Sequence, residues 1–185
     1  MAFRAFISID LQPNEKIVRF SNDLRALGRG LKVVDPSSLH ITLKFLGDTG
    51  ESIVPQIVSL MESATSDTSP FPIHLNKAGT FGNKSKIRTV WIGISDDGYL
   101  SRIAGRLDEE LSTAGFERER RPFSPHLTIA RARENSDSRK IKELVEEYED
   151  VDFGTQQAEF VRLKKSELRP EGPIYSIVEE IRLQE

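Results

Sequence analysis

Apolar residues along the chain alternate as in strands or recur at helical spacing, and the whole plan runs twice. "AFISIDL" at 5–11 alternates as a strand. Ile17, Phe20, Leu24 and Leu27 then recur on one helix face between about Asn14 and Leu27, with Pro13 and Asn14 opening the helix and "GRG" at 28–30 ending it. A strand follows from His40, "HITLKFL", in which alternation places Ile41, Leu43 and Phe45 on one face. A second helix is expected over 51–64, then the loop "SDTSP", then the strand "FPIHLNKAGTF" at 71–81. The second half repeats this: the strand "RTVWIGI" at 88–94, then a helix within 98–115 carrying Leu100, Ile103, Leu107 and Leu111 at helical spacing. It continues with the strand "HLTIARA" from His126, a helix over 137–150 and the strand "AEFVRLKKSEL" at 158–168.

The intervals agree. Ile7 to His40 is 33 residues and Ile92 to His126 is 34; His40 to Ile73 is 33 and His126 to Phe160 is 34. Self-similarity of this kind marks an internal duplication, here of a β-α-β-α-β unit. Two copies cannot form a solenoid. The simplest architecture is α+β: a single bilobal domain over 1–185, with repeats over about 1–82 and 87–185 and "GNKSK" at 82–86 between them. Two mostly antiparallel sheets would then face a central cleft.

Composition narrows the function classes. At 37% hydrophobic and 30% charged the chain reads as an ordinary soluble protein, without an apolar run of the roughly 20 residues a membrane span needs. The N-terminal "MAFRAFISIDL" reads as a strand rather than a signal peptide. With no cysteine there is no disulfide framework, thiolate nucleophile or Cys-based zinc site, and a cytoplasmic location is the default. A net charge of −3 argues against extended duplex binding. Local charge differs: Arg118, Arg120, Arg121, Arg131 and Arg133 cluster around the second His strand, which suits a local phosphate site.

Two of the three histidines open the pattern His-x-Thr, His40 with Thr42 and His126 with Thr128, 86 residues apart. Chance gives such a coincidence in roughly one sequence in a hundred with three histidines. Residues i and i+2 of a strand share a face, so each His and its Thr point together, away from Ile41 and Leu43 or from Leu127 and Ile129. A pseudo-twofold would bring both faces to one cleft. One imidazole can then accept a proton while the other donates one near neutral pH. Threonine hydroxyls are neutral donors for the oxygens of a phosphate. Together these predict phosphodiester chemistry with acid–base catalysis, without cofactor or metal. Three histidines, no H-E-x-x-H spacing and no Cys pair offer little for zinc.

At this point the sequence resembles the two-histidine phosphoesterase superfamily. It is most similar to the RNA 2′,3′-cyclic phosphodiesterases, historically called 2′-5′ RNA ligases. "RAFISIDL", "VDPSSLHITLKFLGD", "RTVWIGI", "PHLTIARAR" and "LKKSELRPEGPIYSIVEE" carry the likeness in order along essentially the whole chain. The resemblance implies a bilobal fold and hydrolysis of RNA 2′,3′-cyclic phosphate ends to 2′-phosphomonoesters. In some members it includes reversible 2′-5′ joining of tRNA halves. It implies His40 as proton donor, His126 as proton acceptor, Thr42 and Thr128 on the phosphate, and Arg131 as a further phosphate ligand. Strict alternation sets Arg131 opposite His126, so that role demands a twist, a bulge or a long reach.

Other residues are ambiguous between packing and chemistry. Lys44 shares the alternation face of His40 and Thr42 and could meet a phosphate or simply be solvated. Trp91 and Phe6 could stack on bases but suit the core. Tyr175 is a cleft candidate, and His74 reads as structural or exposed. Two alternatives stand beside the leading function: a cyclic phosphodiesterase for a small metabolite such as an ADP-ribose cyclic phosphate, and a non-catalytic RNA-end binding module. A monomer is the default, since the pseudo-twofold within one chain already builds the site.

Overall fold

Among residues 1–83 and 85–184, which the computed structural model describes, the first repeat supplies β1 (Ala2–Asp10), α1 (Glu15–Ala26), a short β2 (Leu31–Val33), β3 (His40–Gly50), α2 (Val54–Thr65) and β4 (Phe71–Gly82). The second supplies β5 (Ile87–Ser95), α3 (Tyr99–Ser112), β6 (His126–Ala132), α4 (Ser138–Glu147), β7 (Asp152–Ala158), β8 (Phe160–Arg169) and β9 (Gly172–Arg182). The α+β expectation is borne out. Each helix begins and ends within three residues of its expected bounds. Asn14 caps α1 by accepting from the Ile17 N–H, and Asp137 caps α4 by accepting from the Arg139 and Lys140 N–H groups.

The strands form two antiparallel sheets, ordered β3-β1-β8-β9 and β2-β6-β5-β4-β7. Apart from the extra β2, the orders are related by the duplication: β3 matches β6, β1 matches β5, β8 matches β4. One expectation needs correction. The repeats over 1–82 and 87–185 do not each form a lobe, because the third strand of each crosses over: β4 pairs with β5, and β8 pairs with β1. Helix α1 likewise packs on β2 and β6 of the second sheet, and α3 on β3 of the first. The two repeats share one core, in which strands and helices of both halves bury their apolar faces together. Lys84, inside the expected boundary 82–86, lies outside the described residues.

Each sheet buries one face against helices. Ile7, Ile9, Ile41 and Leu43 of the first sheet and Val90, Ile92, Leu127 and Ile129 of the second are almost fully buried, as are Ile57, Met61, Leu107 and Leu111 from the helices. The other faces border a cleft of about 1410 Å³, somewhat above the ~300–1,000 Å³ of small-molecule sites. No helix among the described residues is long and apolar enough to cross a membrane.

Candidate active site

His40 and His126 open β3 and β6, the matching strands of the two sheets, and both line the cleft together with Thr42, Thr128 and Arg131. The two imidazoles are held in the same way. His40 Nδ1 lies 2.7 Å from the Ser38 carbonyl, and His126 Nδ1 lies 2.7 Å from the Ser124 carbonyl. A carbonyl only accepts, so each Nδ1 carries a proton and donates it. That leaves Nε2 of each ring as the nitrogen that exchanges protons: an acceptor in the neutral ring, a donor in the imidazolium.

A bulge follows each Thr, at equivalent positions. In β3, Ser8 pairs with Thr42 and Ile7 with Lys44, so Leu43 has no partner. In β6, Trp91 pairs with Thr128 and Val90 with Ala130, so Ile129 has none. An extra residue reverses the phase of alternation beyond it. This brings Arg131 to the cleft side with His126 and Thr128 and removes the obstacle that strict alternation set. It also corrects two expectations in the first repeat. Phe45, placed on the core face by alternation, is turned out to the cleft and is 65% exposed. Lys44, expected on the chemistry face or in solvent, is buried instead. Its Nζ lies 2.7 Å from Asp108 of α3 and donates to the Glu117 carbonyl at 2.9 Å. Asp108 also accepts from the Glu119 N–H at 2.8 Å and from Arg118 at 3.2 Å. Burial works against the Asp108 carboxylate, but the hydrogen bonds from Lys44, Glu119 and Arg118 outweigh it and hold it below the usual range.

The surroundings of the two imidazoles differ. His40 packs against buried Phe6, with ring centroids 5.1 Å apart, and edge-on against Tyr175 at 5.2 Å. Behind them, buried Lys164 lies 5.7 Å from the Phe6 centroid and 5.4 Å from that of Tyr175, and is paired with Asp10 at 2.8 Å. Burial pushes the His40 pKa below its ordinary value. The Ser38 carbonyl and Asp10 oppose this, while the charges of Lys164 and Arg131 add to it. Burial also raises the Tyr175 phenol, against the pull of Arg131, so Tyr175 faces the cleft as a neutral donor. His126 has one aromatic neighbour, Phe81, edge-on at 4.9 Å. Phe81 in turn lies 5.4 Å from Trp91, whose ring crosses Gly79 of β4 so closely that a Cβ there would fall 2.3 Å from it.

All five expected site residues thus border one cleft. Of the other arginines near the second motif, Arg121 borders it too, Arg118 is tied to Asp108 and Arg120 to Glu117. His74 stands apart, half-buried, with Nδ1 2.9 Å from the Thr155 hydroxyl. Phe81 escaped the sequence reading. Its only signal was an aromatic at the end of a strand whose Gly79 must make room for a ring. No group of three His, Asp or Glu residues among the described residues is arranged to hold a metal.

A cleft between duplicated sheets, with a His and a Thr from each, defines a two-histidine phosphoester-binding fold. Comparison with known proteins agrees. Residues 13–167 match the model of the 2′-5′ RNA ligase superfamily, and the chain belongs to that family. It is 40% identical over 179 residues to an RNA 2′,3′-cyclic phosphodiesterase of Methanocaldococcus jannaschii, covering 96% of this chain and 99% of the relative. It is 36% identical over 185 residues to one of Methanothermobacter thermautotrophicus, covering 99% and 100%. The crystal structure of TT0787 of Thermus thermophilus superposes with a TM-score of 0.81 at 28% identity, covering 97% of each chain.

Proposed function

We propose that the chain hydrolyses RNA 2′,3′-cyclic phosphate ends to 2′-phosphomonoesters, with His40 and His126 moving the protons and no metal required. The relatives' names support the cyclic phosphodiesterase class. The site chemistry carries the rest. Neutral His126 takes a proton from water at Nε2 as the water oxygen bonds to phosphorus. The P–O3′ bond breaks on the opposite side, and the His40 imidazolium gives its Nε2 proton to the departing O3′. Thr42, Thr128 and Arg131 hold the non-bridging oxygens and the charge that gathers on them. A phosphodiester anion in the cleft favours the charged form of His40 and so offsets the lowering by burial. An RNA 5′-hydroxyl in place of water gives a 2′-5′ phosphodiester by the same proton transfers, and the reverse reaction regenerates the cyclic end.

The observation that carries this reading is the identical pinning of both Nδ1 atoms by backbone carbonyls, which leaves two Nε2 atoms as a proton acceptor and a proton donor on one cleft. The test is turnover of a nucleoside 2′,3′-cyclic phosphate in excess chelator by the wild type and by His126→Ala. The wild type should remain active, and the variant should lose about 10²–10⁴-fold. Undiminished turnover by His126→Ala refutes its role as base, and loss of wild-type activity on adding chelator refutes metal independence.

A further inference from the structure

The His126 side of the cleft carries a surface that hydrolysis does not use. Phe81, one residue from the end of β4, stands edge-on to His126 at 4.9 Å and is backed by Trp91 at 5.4 Å, yet it is 40% exposed and borders the cleft. Beside it the β4–β5 ladder is interrupted: Phe81 pairs with Thr89 and Gly82 with Ile87, so Arg88 has no partner. This bulge residue is exposed and borders the cleft with Thr89. It forms no ion pair among the described residues, unlike Arg118 and Arg120. The turn beyond is tightly closed. Gly82 has a φ of +148°, and a Cβ there would fall 2.2 Å from the Lys86 carbonyl oxygen. Asn83 Oδ1 accepts from the N–H groups of Ser85 and Lys86. One hairpin end thus presents an aromatic face and an unpaired guanidinium to the cleft.

Reaction geometry says what can stand there. In-line displacement puts the attacking oxygen on the His126 side of phosphorus and O3′ on the His40 side. Water as nucleophile needs neither a ring nor a cation beside His126. A 5′-hydroxyl does. It competes with bulk water for the same place, and only the binding energy of the strand that bears it can hold it there. The first base and first internucleotide phosphate of that strand are groups that an aromatic face and an arginine bind.

We propose that the end of the β4–β5 hairpin is the acceptor subsite for a second RNA strand with a free 5′-hydroxyl. Its first base stacks on Phe81, and Arg88 meets the phosphate between its first two nucleotides. The 5′-hydroxyl gives its proton to His126 Nε2 as O5′ bonds to phosphorus; the P–O3′ bond breaks, and O3′ takes the proton of His40. The product is a 2′-5′ phosphodiester beside a 3′-hydroxyl. The subsite sets the balance between joining and hydrolysis of the same cyclic end. This rests on the hydrolase reading, which supplies the donor end and both proton transfers.

The test supplies one RNA oligonucleotide ending in a 2′,3′-cyclic phosphate and a second with a 5′-hydroxyl, and reads the ratio of joined to hydrolysed product from initial rates at subsaturating acceptor. Damage to His126 or to donor binding slows both nucleophiles alike and cancels in the ratio. In the wild type the ratio should rise with acceptor concentration to a plateau. Phe81→Ala should lower it about tenfold, the scale of a single base–aromatic stack, and Phe81→Trp should keep it. Arg88→Gln should lower it several-fold and flatten its decline with added salt. Leu168→Ser, at the cleft border of the first sheet, should leave it unchanged. Hydrolysis without joined product in the wild type overturns the proposal. So does a ratio preserved in either Phe81→Ala or Arg88→Gln, or an equal fall in Leu168→Ser. If the wild type opens the cyclic end with neither nucleophile, the hydrolase reading itself falls and the subsite with it.

Discussion

The β3 and β6 sides of the cleft share a scaffold and differ in what is hung on it. Both present His and Thr, both pin Nδ1 on a carbonyl two residues earlier, and both bulge after the Thr. Beyond the bulge the copies diverge: Lys44 against Ala130 on the buried side, Phe45 against Arg131 on the cleft side. Around His40 stand Phe6, Tyr175 and the Lys164–Asp10 pair; beside His126 stands Phe81. Duplication provides two equivalent imidazoles, and the proposed reaction needs two inequivalent ones. The environments differ, and burial beside Phe6 and Tyr175 lowers the His40 pKa.

The largest effects expected from breaking this comparison lie at the imidazoles. On a 2′,3′-cyclic phosphate, His40→Ala should cost about 10²–10⁴ in kcat. On an aryl phosphodiester, whose leaving group needs no proton, the same variant should lose far less, while His126→Ala should lose as much as before. Equal losses by His40→Ala on both substrates contradict its role as donor. Arg131→Phe makes the two sides alike at the cleft position. It removes one charged donor from the phosphate and should lower kcat/KM about a hundredfold, with Arg131→Lys recovering part of it.

On the buried side, Lys44→Met removes one partner of an ion pair in which the lysine side chain is 1% exposed and Asp108 15%. It should destabilise the fold by about 3 kcal/mol, read by denaturant unfolding; a change within about 0.5 kcal/mol, the scale of ordinary surface substitutions, contradicts a structural role for the pair. The smallest effect is electrostatic. Lys164→Met removes a positive charge near His40 and frees Asp10 from one partner. Both changes favour the imidazolium, so the His40 pKa should rise, as followed by NMR titration of the imidazole; an unchanged or lower value contradicts the account of its environment.

Much of this was legible in the sequence, for physical reasons. The helix spacing of Leu100, Ile103, Leu107 and Leu111, the two His-x-Thr faces and the repeat interval all come from local periodicity, and each survives in the structure. Strand β9 did not show: its burial is intermediate or exposed throughout, so no apolar alternation marks it. The exchange of β4 and β8 between sheets is a tertiary choice that no local pattern encodes. The bulges are tertiary too, because they exist only relative to a partner strand. A trace was nonetheless present. Aligning the repeats sets Phe45 against Arg131, and an arginine five residues after one His marks that position as facing the cleft in both copies. Lys44 misled because periodicity assigns a side chain to a face without saying whether a carboxylate such as Asp108 waits there.

The central claim is that two pinned imidazoles on one cleft open a cyclic phosphate by expelling O3′. It is tested most directly by identifying the terminal phosphate formed when the wild-type protein acts on an RNA oligonucleotide ending in a 2′,3′-cyclic phosphate, in excess chelator, with His126→Ala run in parallel. The account predicts a 2′-phosphomonoester from the wild type and almost none from the variant. A 3′-phosphomonoester, or the same product at the same rate from both proteins, would contradict it.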